Sequence, residues 1–567
     1  MIIMISKHYK ILSLSYIFVA MLLAIFLFSA RSGIYYNQFF FWVFVICMLS
    51  INLFFICLSN NSSKIHYILF LQMVLFLIII RIPYRTTFGL YGVDSPTEYY
   101  VTMHILKNGW TASDSLLPFS YYNQSNYPFL YFTNIIFSEI SGRTILFVEN
   151  WFPVLLTLVT PFFVYLSSYE LFHSKKSALI SFYGFSTLYG YMIFHSLTVR
   201  ESIGFIFFSQ IIYLILKLDN NSRSNKFNYT ILVLLSIFAL ILSHHLTSFM
   251  LLMFIVVCAS IGYFFKYKNI SITSYNFKRN YLVNSQLPVL IFTLYIAYWI
   301  YAYARVPSKS PLTMLVNSLI QILKLEAGGH SVEIVSGFPD TMRYSILLNG
   351  TILFGLIFVF LSALSLFFRR DKFSVYELAF FATASIPGIF GFLSVLKIFG
   401  LAINAERFMT FTYFYLLILS GYSALKLISY KSFRNVLLVI FLLFSLFNVY
   451  AINPYLYTSN EPDYVNGEIR SYIYYTEYIS FKWFGSHSSN ILLSHQETAR
   501  LLVPFIEDVK CKPFKGSIES QIKPSKNENY ISIPKKSIPY LSNDDCQYIT
   551  KYASKIYNNN DSIVIMV

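Results

Sequence analysis

The sequence predicts an all-α polytopic membrane protein of about 13 transmembrane helices. Outer-face loops and a small C-terminal α/β extracytoplasmic domain complete that fold class. Three observations carry it. First, hydrophobic residues make up 56% of the 567 residues and charged residues only 12%, about half the charged fraction of a soluble domain. Second, the apolar residues fall into runs of roughly 17–23, the length that spans a bilayer as helix. Third, the basic residues alternate from loop to loop. The net charge of +16 would point to nucleic acid in a soluble protein, but here basic cytoplasmic loops explain it, and no nucleic-acid partner is expected.

The runs lie near 11–30, 39–58, 65–81, 146–168, 177–197, 202–218, 229–243, 246–265, 287–304, 346–368, 375–397, 408–427 and 435–452. The first has a basic start and a cleavable-looking Phe28-Ser29-Ala30. It is long for a signal sequence, and it reads as a retained first helix. The stretch 229–265 reads either as one long kinked helix or as two short spans. With the N-terminus in the cytoplasm, the inner loops hold Lys64, Lys175 and Lys176, Arg223 and Lys226, Lys266 and Lys268, Arg369 and Arg370, and Lys431 and Arg434. The short outer loops are nearly free of Lys and Arg. One span over 229–265 would put the later basic loops outside, so two spans are favoured.

Three large polar segments fall outside on this map: residues 82–145, residues 305–345 with Gly328-Gly329-His330, and the tail 453–567. The chain thus divides into a transmembrane domain, 1–452, and an extracytoplasmic C-terminal domain, 453–567. In the tail, 477–484 and 496–506 read as helices, and 490–494 and 562–567 as strands. Cys511 and Cys546 lie there, on the oxidising side, either as a disulfide or as two thiols. Cys47, Cys57 and Cys258 sit in apolar runs and read as packing residues. No cysteine spacing suits a metal site.

Four short constellations of polar residues interrupt the apolar pattern near its outer ends. Tyr91-Gly92-Val93-Asp94-Ser95-Pro96-Thr97-Glu98-Tyr99-Tyr100 contains a capping box, Ser95 to Glu98, with Pro96 at the first helical position. Lys107-Asn108-Gly109 would end that helix. Asp94 and Glu98 are either helix-start residues or two carboxylates at one cavity, able to act as general base or hold a divalent cation such as Mg or Mn. Arg200-Glu201 sits between two spans, at a depth where charges face a cavity or a partner. It is either a snorkelling pair or a grip for phosphate. Ser243-His244-His245 falls where two spans meet. Adjacent helical histidines point about 100° apart and rarely chelate one metal, but one can contact a phosphate. Glu406-Arg407 opens a later span, as an interfacial anchor or an anion site. All of these residues share the outer face under one topology. The Lys-rich stretch 510–536 reads as a solvated face or a contact for anionic headgroups. Phosphate-binding loops, serine-hydrolase elbows, zinc-protease motifs and dinucleotide fingerprints are absent.

These residues resemble the C-type superfamily of integral membrane glycosyltransferases, in its uncharacterised archaeal and bacterial branch. The likeness rests on the acidic pair Asp94 and Glu98 in the first outer loop, on Arg200-Glu201, Ser243-His244-His245 and Glu406-Arg407, and on a tail opening with Glu477 and Lys482-Trp483-Phe484. It implies a cell-membrane enzyme that transfers a sugar from a polyprenyl-phosphate donor to a glycan, lipid or protein acceptor on the outer face. Asp94, with Glu98, would be catalytic. Arg200, Arg407, His244 and His245 would bind the donor phosphate. The sequence lacks the Trp-Trp-Asp signature of oligosaccharyltransferases, which disfavours protein N-glycosylation. It also has two spans before the helix that leads into the first outer loop, where many members have one.

Three other classes give contrasting expectations. A polysaccharide or lipid transporter predicts charges deep in the spans and often an internal repeat. A surface-polysaccharide polymerase or ligase would rely on arginines in a large outer loop. A structural membrane protein would use Ser95 and Glu98 only as a cap.

Overall fold

A computed structural model describes residues 2–31, 38–58, 63–81, 95–111, 124–194, 197–220, 226–267, 286–303, 341–370, 374–395 and 405–452, and five short segments of the tail. Three helices come first: α1 (Ile2–Arg31), α2 (Gln38–Leu58) and α3 (Ser63–Arg81). Then come α4 (Ser95–Asn108) and α5 (Phe129–Ser141) from the first polar segment. The chain continues through α6 (Ile145–Thr157), α7 (Thr160–Phe172), α8 (Lys175–Ser186), α9 (Tyr189–Phe194), α10 (Arg200–Asn220), α11 (Lys226–Ser243) and α12 (His245–Tyr267). The last described helices are α13 (Leu287–Tyr303), α14 (Thr341–Phe368), α15 (Val375–Val395), α16 (Ala405–Ile428) and α17 (Lys431–Ile452).

Among the described residues, eight helical stretches are long and apolar enough to cross a membrane, and four shorter apolar helices accompany them. This is a multi-pass membrane protein. Its outward faces are apolar: Leu14 on α1, Leu71 on α3, Leu235 on α11 and Leu356 on α14 are each more than 60% exposed. Water would not tolerate a row of such faces, but lipid matches them. Of the eight long apolar stretches, the most buried are α16 and α10. α16 packs against α7, α8, α14, α15 and α17, while α10 packs against α7 and α11.

Several helix breaks have a sequence cause. Pro161 has no N–H to give the carbonyl four residues back, at Thr157, and the span 145–172 breaks between α6 and α7. The freed Thr157 carbonyl takes the Tyr191 hydroxyl at 2.9 Å. Pro153 inside α6 frees the Glu149 carbonyl in the same way, and the Thr198 hydroxyl donates to it. The predicted span 177–197 is two short helices, α8 and α9, broken at Thr187–Leu188. The stretch 229–265 breaks at His244. In one line α11 and α12 would reach roughly 60 Å, about twice the ~30 Å apolar thickness of a bilayer, so they are two spans.

The first three helices join through a polar contact within the apolar layer. Tyr16 of α1 donates to the Gln72 carbonyl of α3 at 2.6 Å, and Asn52 of α2 donates to the Tyr16 hydroxyl at 3.4 Å. At the far end of α10 from Arg200, Lys217 pairs with Glu170 of α7 at 2.6 Å. Arg369, just after α14, pairs with Glu377 of α15 at 3.1 Å.

In the tail, β1 (Leu492–His495), β2 (Cys511–Phe514), β3 (Tyr530–Pro534), β4 (Ser554–Asn558) and β5 (Ser562–Met566) form one sheet, in the order β2-β1-β3-β5-β4. β1 is parallel to β2 and β3, and β5 is antiparallel to β3 and β4. The predicted strands at 490–494 and 562–567 coincide with β1 and β5. The predicted tail helices and the side chains of Cys511 and Cys546 lie outside the described residues.

Candidate functional site

Helix α4 begins at Ser95 and ends before Gly109, whose φ of 78° allows the left-handed turn expected of Asn108-Gly109. The capping box is not formed. Ser95 Oγ has no hydrogen-bond partner, and the Glu98 carboxylate turns into the protein, where it is 2% exposed. Its Oε1 accepts from Arg200 Nε at 3.0 Å, and its Oε2 accepts from the Tyr131 hydroxyl at 2.5 Å. Three elements therefore meet on one carboxylate: α4, α5 and the start of α10. Val101, Ile105, Leu130, Tyr131 and Ile203 form the apolar cluster beneath it. A buried carboxylate that gains a guanidinium and a phenol is held as the charged form's partner set requires.

Burial, then the neighbouring Glu98 carboxylate, push the Tyr131 phenol well above the ordinary tyrosine range. Tyr131 thus remains a donor to Glu98 through the physiological range.

Arg200 continues the cluster. Its guanidinium carbon lies 5.6 Å from the centre of the Tyr127 ring. Tyr127 in turn is 5.4 Å from the His245 ring and 6.3 Å from the Tyr298 ring of α13. The two histidine rings are 4.8 Å apart. Tyr298 donates to the Asn126 carbonyl, and Tyr295 donates to the His245 carbonyl at 3.1 Å. His244 occupies the corner between α11 and α12. Its Nδ1 lies 2.8 Å from the Thr247 hydroxyl and accepts from the Thr247 N–H at 3.4 Å. Nδ1 is thereby committed as an acceptor, which leaves the ring proton on Nε2. Gly204 lets α10 approach this corner, since a Cβ there would meet His244 Cβ at 3.1 Å.

The structure thus brings together four sequence-predicted residues, Glu98, Arg200, His244 and His245. Glu201 is buried beside them. Asp94 lies outside the described residues. Arg407 is in the first turn of α16, and its side chain also lies outside them. That end of α16 is near the site's end of the bundle, because Thr410 packs on Gly190 of α9. Among the described residues, no group of three His, Cys, Asp or Glu is placed to hold a metal. Glu98 faces a cation and a phenol, an arrangement that does not suit a metal ligand.

Sequence reasoning missed five contributors. Tyr127, Tyr131 and Tyr298 are hidden among 47 tyrosines. Glu149 and Arg81 had a usable signal, each being an ionisable residue within or ending an apolar run. Arg81 is fully buried. It donates to the Val154 carbonyl at 3.4 Å, the Thr157 hydroxyl at 3.2 Å and the Tyr191 carbonyl at 3.3 Å. These acceptors lie at the C-terminal ends of α6 and α9, which carry partial negative charge and lack helical donors.

The fold has solved counterparts. The archaeal oligosaccharyltransferase AglB from Archaeoglobus fulgidus, in complex with an inhibitory peptide and a dolichol-phosphate, is 12% identical with a TM-score of 0.50, over 86% of this chain and 71% of that one. The Archaeoglobus fulgidus oligosaccharyltransferase tethered to an acceptor peptide with the NVT sequon is 13% identical, also at 0.50, over 87% and 73%. ArnT from Cupriavidus metallidurans, bound to undecaprenyl phosphate, aligns at 0.48 with 9% identity over 89% and 98%. No protein-family model and no curated protein matches the sequence. Likeness at this identity is one of fold, and the chain shares its fold with the Archaeoglobus fulgidus oligosaccharyltransferase.

Proposed function

We propose that the protein is a membrane glycosyltransferase that takes a sugar from a polyprenyl-phosphate donor and transfers it to an acceptor on the outer face. The observation that carries this reading is the cluster of Glu98, Arg200, Tyr127, His244 and His245 at one end of the bundle. It stands on a fold shared with an oligosaccharyltransferase solved with a dolichol-phosphate. In this reading the N-terminus is cytoplasmic, and the tail 453–567 is an extracytoplasmic α/β domain.

The acceptor hydroxyl attacks the anomeric carbon as the bond to the phosphate oxygen breaks. Asp94 takes the hydroxyl proton. Arg200 and the His244 Nε2–H stabilise the departing phosphate, with Arg407 as a further cation. Glu98 is the counter-charge that orients Arg200, and the base is therefore assigned to Asp94 alone. No step is routed through a divalent cation. The described ion pairs lie at helix ends, which argues against a transporter that carries charges in mid-span.

The experiment is Asp94→Asn in purified protein with a labelled polyprenyl-phosphate sugar. Loss of the base is expected to lower transfer by roughly 10²-fold or more at unchanged donor binding. Transfer at the wild-type rate would remove Asp94 from this role.

A further inference from the structure

We propose that Glu149 is a positioning residue that fixes the geometry of the Glu98–Arg200 pair. The inference rests on that pair being part of the functional site. Glu149 touches neither partner, yet it is bonded to all three segments that carry the cluster. Its Oε1 accepts from Thr102 of α4 at 2.6 Å and from Asn134 of α5 at 2.9 Å. Its backbone carbonyl, freed by Pro153, accepts from Thr198, two residues before Arg200. Thr102 lies one turn after Glu98, and the Glu98 carbonyl, 2.9 Å from the same hydroxyl, is the alternative acceptor for its one proton. Asn134 lies one turn after Tyr131, the second donor to Glu98.

Glu149 is fully buried, and its Oε2 has no hydrogen-bond partner. A carboxyl group kept in such a place is costly unless its bonds do something that an apolar side chain would not. Here they tie α4 and α5 to α6, and the backbone carbonyl of the same residue ties α6 to the start of α10, so the carboxyl completes the link that sets their relative register. The 3.0 Å spacing of Glu98 and Arg200 depends on that register, because the two residues come from elements separated by a hundred positions in the chain.

The test is a double-mutant cycle on the full-length protein in detergent, read as the apparent melting temperature. Glu98→Gln and Arg200→Met, singly and together, are compared in the wild-type, Glu149→Gln and Glu149→Leu backgrounds. Two partners in contact should be non-additive by roughly 2 °C or more. That coupling is expected in the wild type, kept in Glu149→Gln, which retains the oxygen at Oε1, and lost in Glu149→Leu. Coupling that survives intact in Glu149→Leu overturns the proposal. Where Glu149→Leu does not fold, Thr102→Val with Thr198→Val removes two of the three bonds, and surviving coupling there overturns it equally. The readout needs no substrate. A wild-type protein inactive on polyprenyl-phosphate sugars would sink the proposed activity and leave this result standing.

Discussion

At the residue scale, the cluster is built from charges that are individually unfavourable in a buried setting. Glu98 is almost inaccessible, and Arg200 is only slightly exposed. Each is tolerable because the other is present, and Tyr131 supplies the remaining donor. The raised Tyr131 phenol makes a pH prediction. Unfolded tyrosine ionises near pH ~10, whereas the folded phenol keeps its proton. Above that pH the unfolded chain binds fewer protons than the native one, so stability falls as pH rises. The contribution is whole well below pH ~10, and between pH ~10 and ~11 wild type should lose about 1 kcal/mol more than Tyr131→Phe. Melting in detergent from pH 8 to 11 measures it, and parallel curves would show that Tyr131 is not held neutral by the fold.

At the element scale, broken helices are what bring the site together. Pro153 and Pro161 were visible in the sequence, but their consequences were not, because the groups that take the freed carbonyls, Thr198 and Tyr191, come from other helices. The Ser95–Glu98 spacing was legible as a capping box for the same local reason, and the tertiary pull of Arg200 and Tyr131 overrode it. Close helix approach is a further tertiary feature. At Gly421 of α16 a Cβ would lie 2.7 Å from the Ser177 carbonyl of α8. Backbone cannot swing aside as a side chain can, so Gly421→Ala should cost about 1–3 kcal/mol. Thermal melting of the variant checks it, and an unchanged melting temperature would mean that α8 and α16 slide freely.

At the scale of the whole molecule, the span map was largely readable. Hydropathy sees an apolar helix whether or not it is kinked, and most of the described apolar helices coincide with predicted runs. The runs at 146–168 and 177–197 differ, each being divided into two helices. The orientation is argued from the distribution of Lys and Arg. It predicts that Asn108→Cys, on the outer loop helix, reacts with a membrane-impermeant maleimide in intact cells. Arg370→Cys, after α14, should react only after the membrane is opened. The opposite pattern would invert the topology and move the cluster to the cytoplasmic side.

The sequence by itself determined that the chain carries repeated apolar helices able to cross a membrane, roughly where most of them lie, and which polar residues mark their ends. Those properties are local, set by transfer of side chains into hydrocarbon and by 3.6-residue helical geometry. Only the tertiary structure decided that Glu98 bonds Arg200 and Tyr131, that Tyr127 joins Arg200 to His245, and that Glu149 ties α4, α5 and α10. These are pairings between residues far apart in the chain. Composition and periodicity carry no record of which buried polar group will satisfy which.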